Sequence, residues 1–192
     1  INKIKCKWSN ISSYLSTEDT KRFEAGEDSS VCAKDGILYS PDMEYLIKCP
    51  TKKTGDIKIP EGVKYIVEYA FFESEISAVA FPSTLKQIFL NAFRYSKLKK
   101  IDFGTGLKTT GSYEGNSFGD CYNLKEVEIP ANITKIDKST FYHCTSLEKV
   151  ILHEGLKAIG ERAFMWCINL KELTLPESIE YMGNDCFTEL RH

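Results

Sequence analysis

The sequence predicts a mainly β repeat solenoid, a right-handed stack of about six coils preceded by an N-terminal β cap. Three observations support this prediction. One short motif recurs about every 23 residues, each copy places apolar residues two positions apart, and the first part of the chain lacks the motif but contains turn signals. A unit this short cannot bury its apolar side alone, so successive units must stack.

The repeat runs through six copies from about residue 54 to residue 190. The anchor of each copy is a phenylalanine, and successive anchors are 22, 25, 23, 23 and 23 residues apart: Phe71, Phe93, Phe118, Phe141, Phe164 and Phe187. A copy begins with apolar residues at positions 0, 3 and 5, as in Leu124, Val127 and Ile129, which predicts a strand with one buried side. Four copies have proline at position 6, which ends the strand because proline lacks an amide donor.

Residues 1–53 precede the repeat and are predicted to form the cap, while residues 54–192 form the solenoid. The segment SVCAKDGILYSPDMEYLIKCP places the turn signals Asp35-Gly36 and Pro41-Asp42 between apolar runs, which favours a β-meander. Ile4, Cys6 and Trp8 alternate and indicate a short strand. The polar residues 10–30 fit a short helix or a loop, and the sequence leaves both open.

The third copy has three extra residues in the stretch TTGSYEGN, residues 109–116. Its glycines resemble a phosphate-binding loop only superficially, because Gly111 is followed by Ser112 and not by the Lys-Ser/Thr pair that such a loop needs. Insertions in solenoids are usually pushed away from the stack. We therefore expect an outward surface loop here.

The composition excludes several classes of protein. The 192 residues contain 25 Lys and Arg against 27 Asp and Glu, a formal charge of −2, which argues against a nucleic-acid groove. At 42% hydrophobic residues the chain is not a disordered tail, and it has no apolar run long enough to predict a membrane-spanning helix. It begins INKIKCKWSN, without an initiator methionine or a signal-peptide core, so we expect a mature or trimmed chain.

The cysteines and histidines predict neither a metal site nor a cofactor. Three histidines are scattered, and no cysteine pair has the C-x-x-C spacing. Cys121, Cys144 and Cys167 share a repeat position that is serine in two other copies, which favours a small buried thiol over the alternative of a disulfide between coils. One disulfide within the cap, among Cys6, Cys32 and Cys49, is also open.

The outward residues of the long strands define a first candidate binding surface, the sheet face. Lys100, Glu126, Lys149 and Glu172 alternate in sign on neighbouring strands and are predicted to pair laterally. Two strand positions further on, Glu128 is followed in the next copy by Ile151, an apolar side chain predicted to face solvent. The face is either satisfied by its own ion pairs or available to a partner.

The second candidate surface follows each phenylalanine anchor. The next two residues include large amphipathic side chains, among them Tyr95, Tyr142 and Trp166. Tyrosine and tryptophan dominate interface hot spots, so a row of them along one edge predicts a contact stripe. The alternative is that many of these side chains pack between coils.

The motif L-x-x-[VIL]-x-[IL]-P…I-G-x-x-A-F-x-x-C resembles the BspA-like leucine-rich repeat family, and the clearest copy is residues 147–169. The resemblance covers about residues 54–190. It implies a leucine-rich-repeat stack, with proline where receptor repeats have asparagine. It also implies a cell-surface or secreted module that binds a protein or glycan on a host or neighbouring cell and has no catalytic activity.

Two alternatives stay open at the level of sequence. The chain is either a binding module or a structural spacer in a larger surface protein, and an enzyme of unknown class is a remote third possibility. No nucleic-acid partner is expected. The sequence names no ligand and gives no oligomeric state, because exposed repeat positions vary without harming the fold.

Overall fold

The repeats fold into the predicted mainly β solenoid. The computed structural model describes residues 2–4, 21–25, 30–112 and 114–190, and within these ranges it has sixteen strands and no helix. Two series of strands alternate along the stack. The long series is β6 Gly55–Lys58, β8 Ile76–Ala80, β10 Lys100–Asp102, β11 Glu126–Ile129, β13 Lys149–Leu152 and β15 Glu172–Leu173. The short series is β7 Tyr65–Ile66, β9 Gln87–Ile88, β12 Lys135–Ile136, β14 Ala158–Ile159 and β16 Tyr181–Met182.

Neighbouring coils pair in parallel at the period of the repeat. Glu126 lies opposite Lys149, and Lys149 lies opposite Glu172. The long strands form two separate sheets, β6-β8-β10 and β11-β13-β15, so the ladder of hydrogen bonds is interrupted between β10 and β11. This interruption coincides with the copy that has three extra residues.

The phenylalanine anchors form the predicted ladder through the core. Every ring from Phe71 to Phe164 is fully buried, and successive rings stack with centroid separations of 4.5, 5.0, 5.7, 5.3 and 5.4 Å. Interplanar angles of 5–14° show that each coil repeats the ring orientation of the one before it. Stacked apolar rings exclude water along the axis of the solenoid, which is the main source of its stability.

The cysteines that share a repeat position form a second internal ladder of free thiols. The Sγ atoms of Cys121, Cys144 and Cys167 donate to backbone carbonyls of earlier coils at 3.3, 3.2 and 3.2 Å. Burial raises the pKa of Cys167 to about 12, which keeps its thiol neutral. The prediction of a small buried thiol is confirmed at these positions. Cys32 and Cys49 in the cap are also free, whereas Cys6 lies outside the described residues.

The insertion in the third copy packs inward, so the expectation of an outward loop is wrong for most of it. Thr110, Gly111 and Ser112 are buried, and only Glu114 is fully exposed among the described inserted residues. The buried carboxylate of Asp137 accepts a hydrogen bond from the amide of Gly111 at 3.0 Å. This polar anchor in the next coil gives the inserted backbone a partner inside the stack.

The N-terminal part contains the predicted β-meander. Strands β3 Cys32–Lys34, β4 Ile37–Tyr39 and β5 Tyr45–Lys48 are antiparallel. The turn between β3 and β4 has positive φ at Asp35 and Gly36, 52° and 76°, as a tight two-residue hairpin requires. Strand β5 then pairs in parallel with β7, giving one sheet of order β3-β4-β5-β7-β9. The division at residue 53 stays a prediction, and this sheet continues across it.

The first residues add a small parallel pair, β1 Asn2–Ile4 with β2 Phe23–Ala25. Phe23 packs with Val31, Leu38 and Ile47 in a second apolar cluster beneath the meander. The strand Asn2–Ile4 shares only Ile4 with the predicted one, since Cys6 and Trp8 lie outside the described residues. Residues 10–20 and 26–29 of the stretch left open between helix and loop also lie outside them.

Candidate interaction surfaces

The loop edge consists of the two residues that follow each ladder phenylalanine. It comprises Phe72, Glu73, Arg94, Tyr95, Gly119, Asp120, Tyr142, His143, Met165, Trp166, Thr188 and Glu189. The second residue of every pair has positive φ, between 56° and 65°. Non-glycine residues rarely adopt this conformation. It is maintained here because their amides donate to the next coil, as from Tyr95 to Gly119 at 3.1 Å and from His143 to Met165 at 2.8 Å.

An aromatic string crosses five coils along this edge. Its neighbouring ring centroids are 5.6, 6.2, 5.5 and 6.4 Å apart in the order Phe72, Tyr95, Tyr122, His143 and Trp166. Tyr95, Tyr122 and Trp166 are among the most exposed large side chains, at 37%, 41% and 38%. The two sequence-predicted residues Tyr95 and Trp166 therefore belong to one continuous surface.

A buried carboxylate fixes the centre of the string. Asp120 is only 2% exposed and accepts hydrogen bonds from Arg94 Nε at 2.7 Å, His143 Nδ1 at 2.7 Å and the Tyr122 hydroxyl at 2.9 Å. Burial by itself would raise the pKa of Asp120, but the hydrogen bonds from these three donors hold its pKa below the ordinary value. The carboxylate therefore stays ionised and orients three side chains of the edge.

The same network immobilises the exposed tyrosines. Burial and the bond to Asp120 raise the pKa of Tyr122 to about 12, so its hydroxyl stays protonated and continues to donate. The Arg94 guanidinium lies 4.8 Å from the centroid of the Tyr95 ring, a cation–π contact. Side chains held in this way lose little rotamer freedom when a partner binds.

Tyr142, the third predicted residue of this edge, is not one of the five rings of the string. It is half-buried and lies beside the string, where it lines a groove of about 480 Å³ with Arg94, Arg162 and Met165. Some side chains of the edge thus face solvent, while others pack against neighbouring coils.

The sheet face shows part of the predicted charge alternation. Lys149 Nζ lies 3.9 Å from Glu126 and 3.7 Å from Glu172. The described residues include no ion pair between Lys100 and Glu126, since the sheet is interrupted between their strands. Glu128 contacts His153 at 2.8 Å. These pairs are exposed and contribute about 0.2–1 kcal/mol each.

Ile151 is half-buried on the same face and lies opposite Glu128. With Lys149 and Glu172 it lines a shallow groove of about 440 Å³ between β13 and β15. The structure therefore brings three of the predicted residues together, but as a mostly polar and ion-paired surface.

Sequence reasoning missed Tyr122 as a surface residue. It lies four positions after Phe118, where the other copies have glutamate, lysine, threonine, isoleucine or arginine. Tyr122 is the only aromatic residue at that repeat position, and this difference is the one signal that the sequence offered. The contact of Tyr122 with Asp120 could not be predicted from the period of the repeat.

Two further findings concern cofactors and membranes. Among the residues that the structure describes, no group of three His, Cys, Asp or Glu side chains is placed to hold a metal ion. In the same part of the chain, no helix has the length and apolar character needed to cross a membrane.

Comparison with known families identifies the repeat. The profile of the BspA type leucine-rich repeat region, in six copies, matches residues 49–114 and 112–192. Comparison with curated proteins finds no match.

Several solved structures share the architecture. A leucine-rich cell surface protein from Faecalibacterium prausnitzii is 29% identical with a TM-score of 0.71, over 83% of this chain and 41% of that one. A leucine-rich repeat protein from Eubacterium ventriosum is 17% identical with a TM-score of 0.69, over 88% and 52% of the two chains. The pneumococcal antigen PcpA is 21% identical with a TM-score of 0.66, over 85% and 45%. The chain thus spans about half the length of these proteins or less.

Proposed function

We propose that this chain is a non-enzymatic interaction module displayed at the cell surface or secreted, because it belongs to the BspA-type leucine-rich repeat family. Its partner is a protein or glycan, and the loop edge is the surface that binds it. The similarity to a leucine-rich cell surface protein supports display outside the cell.

The observation behind this choice of surface is the aromatic string. Tyr95, Tyr122 and Trp166 are exposed, and contacts with Arg94 and Asp120 hold the two tyrosines in place. Exposed aromatic side chains are typical of interface hot spots. The sheet face is a weaker candidate because its charges already have partners, as Lys149 does between Glu126 and Glu172. A partner would have to displace those ion pairs to bind there.

The proposal is tested by measuring saturable binding of the purified protein to a panel of immobilised cell-surface proteins, matrix proteins and glycans. The double variant Tyr95→Ser and Trp166→Ser should lose binding to the recognised partner by about tenfold or more, the loss expected when hot-spot side chains are removed. The matched control, Lys149→Gln with Ile151→Ser on the sheet face, should bind as the wild type does.

A structural spacer is the second candidate, and one observation favours it. The chain spans only 41–52% of the first three similar structures, so a solenoid of this size occurs there as part of a longer protein. A spacer would give no saturable ligand in the panel. Equal loss of binding by the edge and sheet-face variants would instead contradict the choice of surface.

A further inference from the structure

Several charged residues of this solenoid meet a residue of opposite sign on a neighbouring coil. The pairs include Glu44–Lys64, Lys52–Glu75, Glu75–Lys97, Arg94–Asp120, Lys138–Glu161 and Lys157–Glu180. Such lateral pairs offset the repulsion that like charges on adjacent strands would cause.

Lys99 and Lys125 are two of the lysines that lie outside these pairs. Each is the residue after the leading leucine of its copy, so the two lie at the same position of adjacent coils. Both are exposed, and neither forms an ion pair with any residue that the structure describes. At the same repeat position, the following coil has an acidic residue, Glu148.

The two lysines line one groove beside the aromatic string. The lysine groove has a volume of about 470 Å³ and is formed by Lys99, Tyr122, Asn123, Lys125 and Ser146. This volume is within the range of ligand-binding clefts, and no acidic residue is among its lining side chains.

The remaining lining groups are an exposed ring and two unengaged polar side chains. The Tyr122 ring is 41% exposed, and its hydroxyl is held by Asp120 at 2.9 Å. The side chains of Asn123 and Ser146 form no hydrogen bond with the described part of the protein, unlike Asn169, which donates to Thr145 at 2.7 Å from the equivalent repeat position. The side-chain amide of Asn123 and the hydroxyl of Ser146 are therefore available to donate to a ligand or accept from it.

We propose that the lysine groove binds an acidic sugar, a glycan unit that bears sulfate or carboxylate groups. The two ammonium groups face the anionic substituents, the Tyr122 ring lies against the apolar face of the sugar, and Asn123 and Ser146 bond its hydroxyls. This inference rests on the proposed binding function and names the ligand class for a groove that lies beside the loop edge.

An acidic peptide is the competing ligand, since the lysines attract any polyanion. The groove offers little to hold peptide side chains, because the lining beside Tyr122 is polar and shallow. A sugar matches it better, having both an apolar face for the ring and many hydroxyls for the polar groups.

The test is a calorimetric titration of the whole chain with a heparin tetrasaccharide, a neutral maltotetraose and a tetraglutamate peptide. The wild type should bind the heparin tetrasaccharide more tightly than the other two, with affinity that falls as salt is raised. The double variant Lys99→Gln and Lys125→Gln should weaken this binding about tenfold or more, as expected for the loss of charged hydrogen bonds. Tyr122→Ala removes the ring that lies against the sugar and should also weaken this binding.

The matched control is Lys138→Gln with Lys157→Gln, which removes the same charge from ion-paired lysines elsewhere on the stack. It should bind as the wild type does. Equal weakening by both double variants would show attraction to net charge only and would overturn the proposal. Tetraglutamate bound as tightly as the tetrasaccharide would overturn the assignment of a sugar. If Lys99→Gln with Lys125→Gln has no effect while the Tyr95 and Trp166 variants still lose their partner, this inference alone fails.

Discussion

At the scale of single residues, two kinds of buried side chain determine the core and the surface of the molecule. The ladder phenylalanines repeat in every coil and fill the core, whereas Asp120 occurs once and organises the surface above it. The first kind was predictable because its position recurs. The second was not, since Arg94 and Tyr122 occupy repeat positions different from the one that Asp120 and His143 share, and the four side chains meet only through the coiling of the chain.

Replacing Phe141 with alanine should lower the free energy of unfolding by about 3–5 kcal/mol, the usual range for a buried phenylalanine. Its ring is fully buried between Phe118 and Phe164, at 5.7 and 5.3 Å, so no neighbour can fill the cavity without moving a whole coil. Chemical denaturation followed by circular dichroism measures the change. The exposed Lys171→Ala should stay within about 0.5 kcal/mol of the wild type. A similar loss of unfolding free energy in Phe141→Ala and Lys171→Ala would argue against the phenylalanine ladder as the main source of stability.

Replacing Asp120 with asparagine should destabilise the protein at pH 7 by about 1.5–3 kcal/mol, because charged hydrogen bonds to Arg94 and His143 are lost. The pKa of Asp120 is lower in the folded protein than its ordinary value. Its contribution is therefore complete above the ordinary carboxyl pKa of about 4 and is lost as the pH falls through the lower folded value.

Unfolding midpoints measured from pH 7 down to pH 2 should show the wild type converging on Asp120→Asn only below about pH 4. The more exposed Asp185→Asn is the control and should follow the wild type throughout. A difference between wild type and Asp120→Asn that does not change with pH would rule out an ionised carboxylate at this position.

At the scale of elements, the short strands approach one another closely. A Cβ atom on Gly160 would lie 2.6 Å from the amide nitrogen of Lys138, closer than real contacts allow. The strand series was predictable from the motif, but two features were not. The interruption between β10 and β11 and the inward path of the insertion depend on tertiary contacts, such as that of Gly111 with Asp137.

Gly160→Ala should therefore destabilise the solenoid by about 1–3 kcal/mol, the cost of overpacking, since the backbone of the preceding coil must shift. Thermal and chemical denaturation measure this change. Glu161→Ala, next to it and half-exposed, should cost no more than an exposed ion pair, about 1 kcal/mol. Wild-type stability in Gly160→Ala would mean that the coils are not in close contact there.

At the scale of the whole molecule, the coiling of the chain brings residues that are about one repeat apart together on one surface. Residues 21 to 27 positions apart become neighbours, so the rings of the string form one line from Phe72 to Trp166. Periodicity predicted that such a line would exist and placed Tyr95 and Trp166 in it. It did not show that Tyr142 would line a groove beside the string or that Tyr122 would complete the line, because side-chain positions depend on tertiary contacts such as that of Tyr122 with Asp120.

The most direct test of the loop edge as the binding surface is hydroxyl-radical footprinting of the wild-type chain, alone and with the partner that the panel identifies. Oxidation of Tyr95, Tyr122 and Trp166 should fall in the complex, because a bound partner excludes solvent from the aromatic string. Oxidation of Ile151 on the sheet face should stay unchanged. Protection of Ile151 with no change at the three aromatic residues would contradict the account and place the binding surface on the sheet.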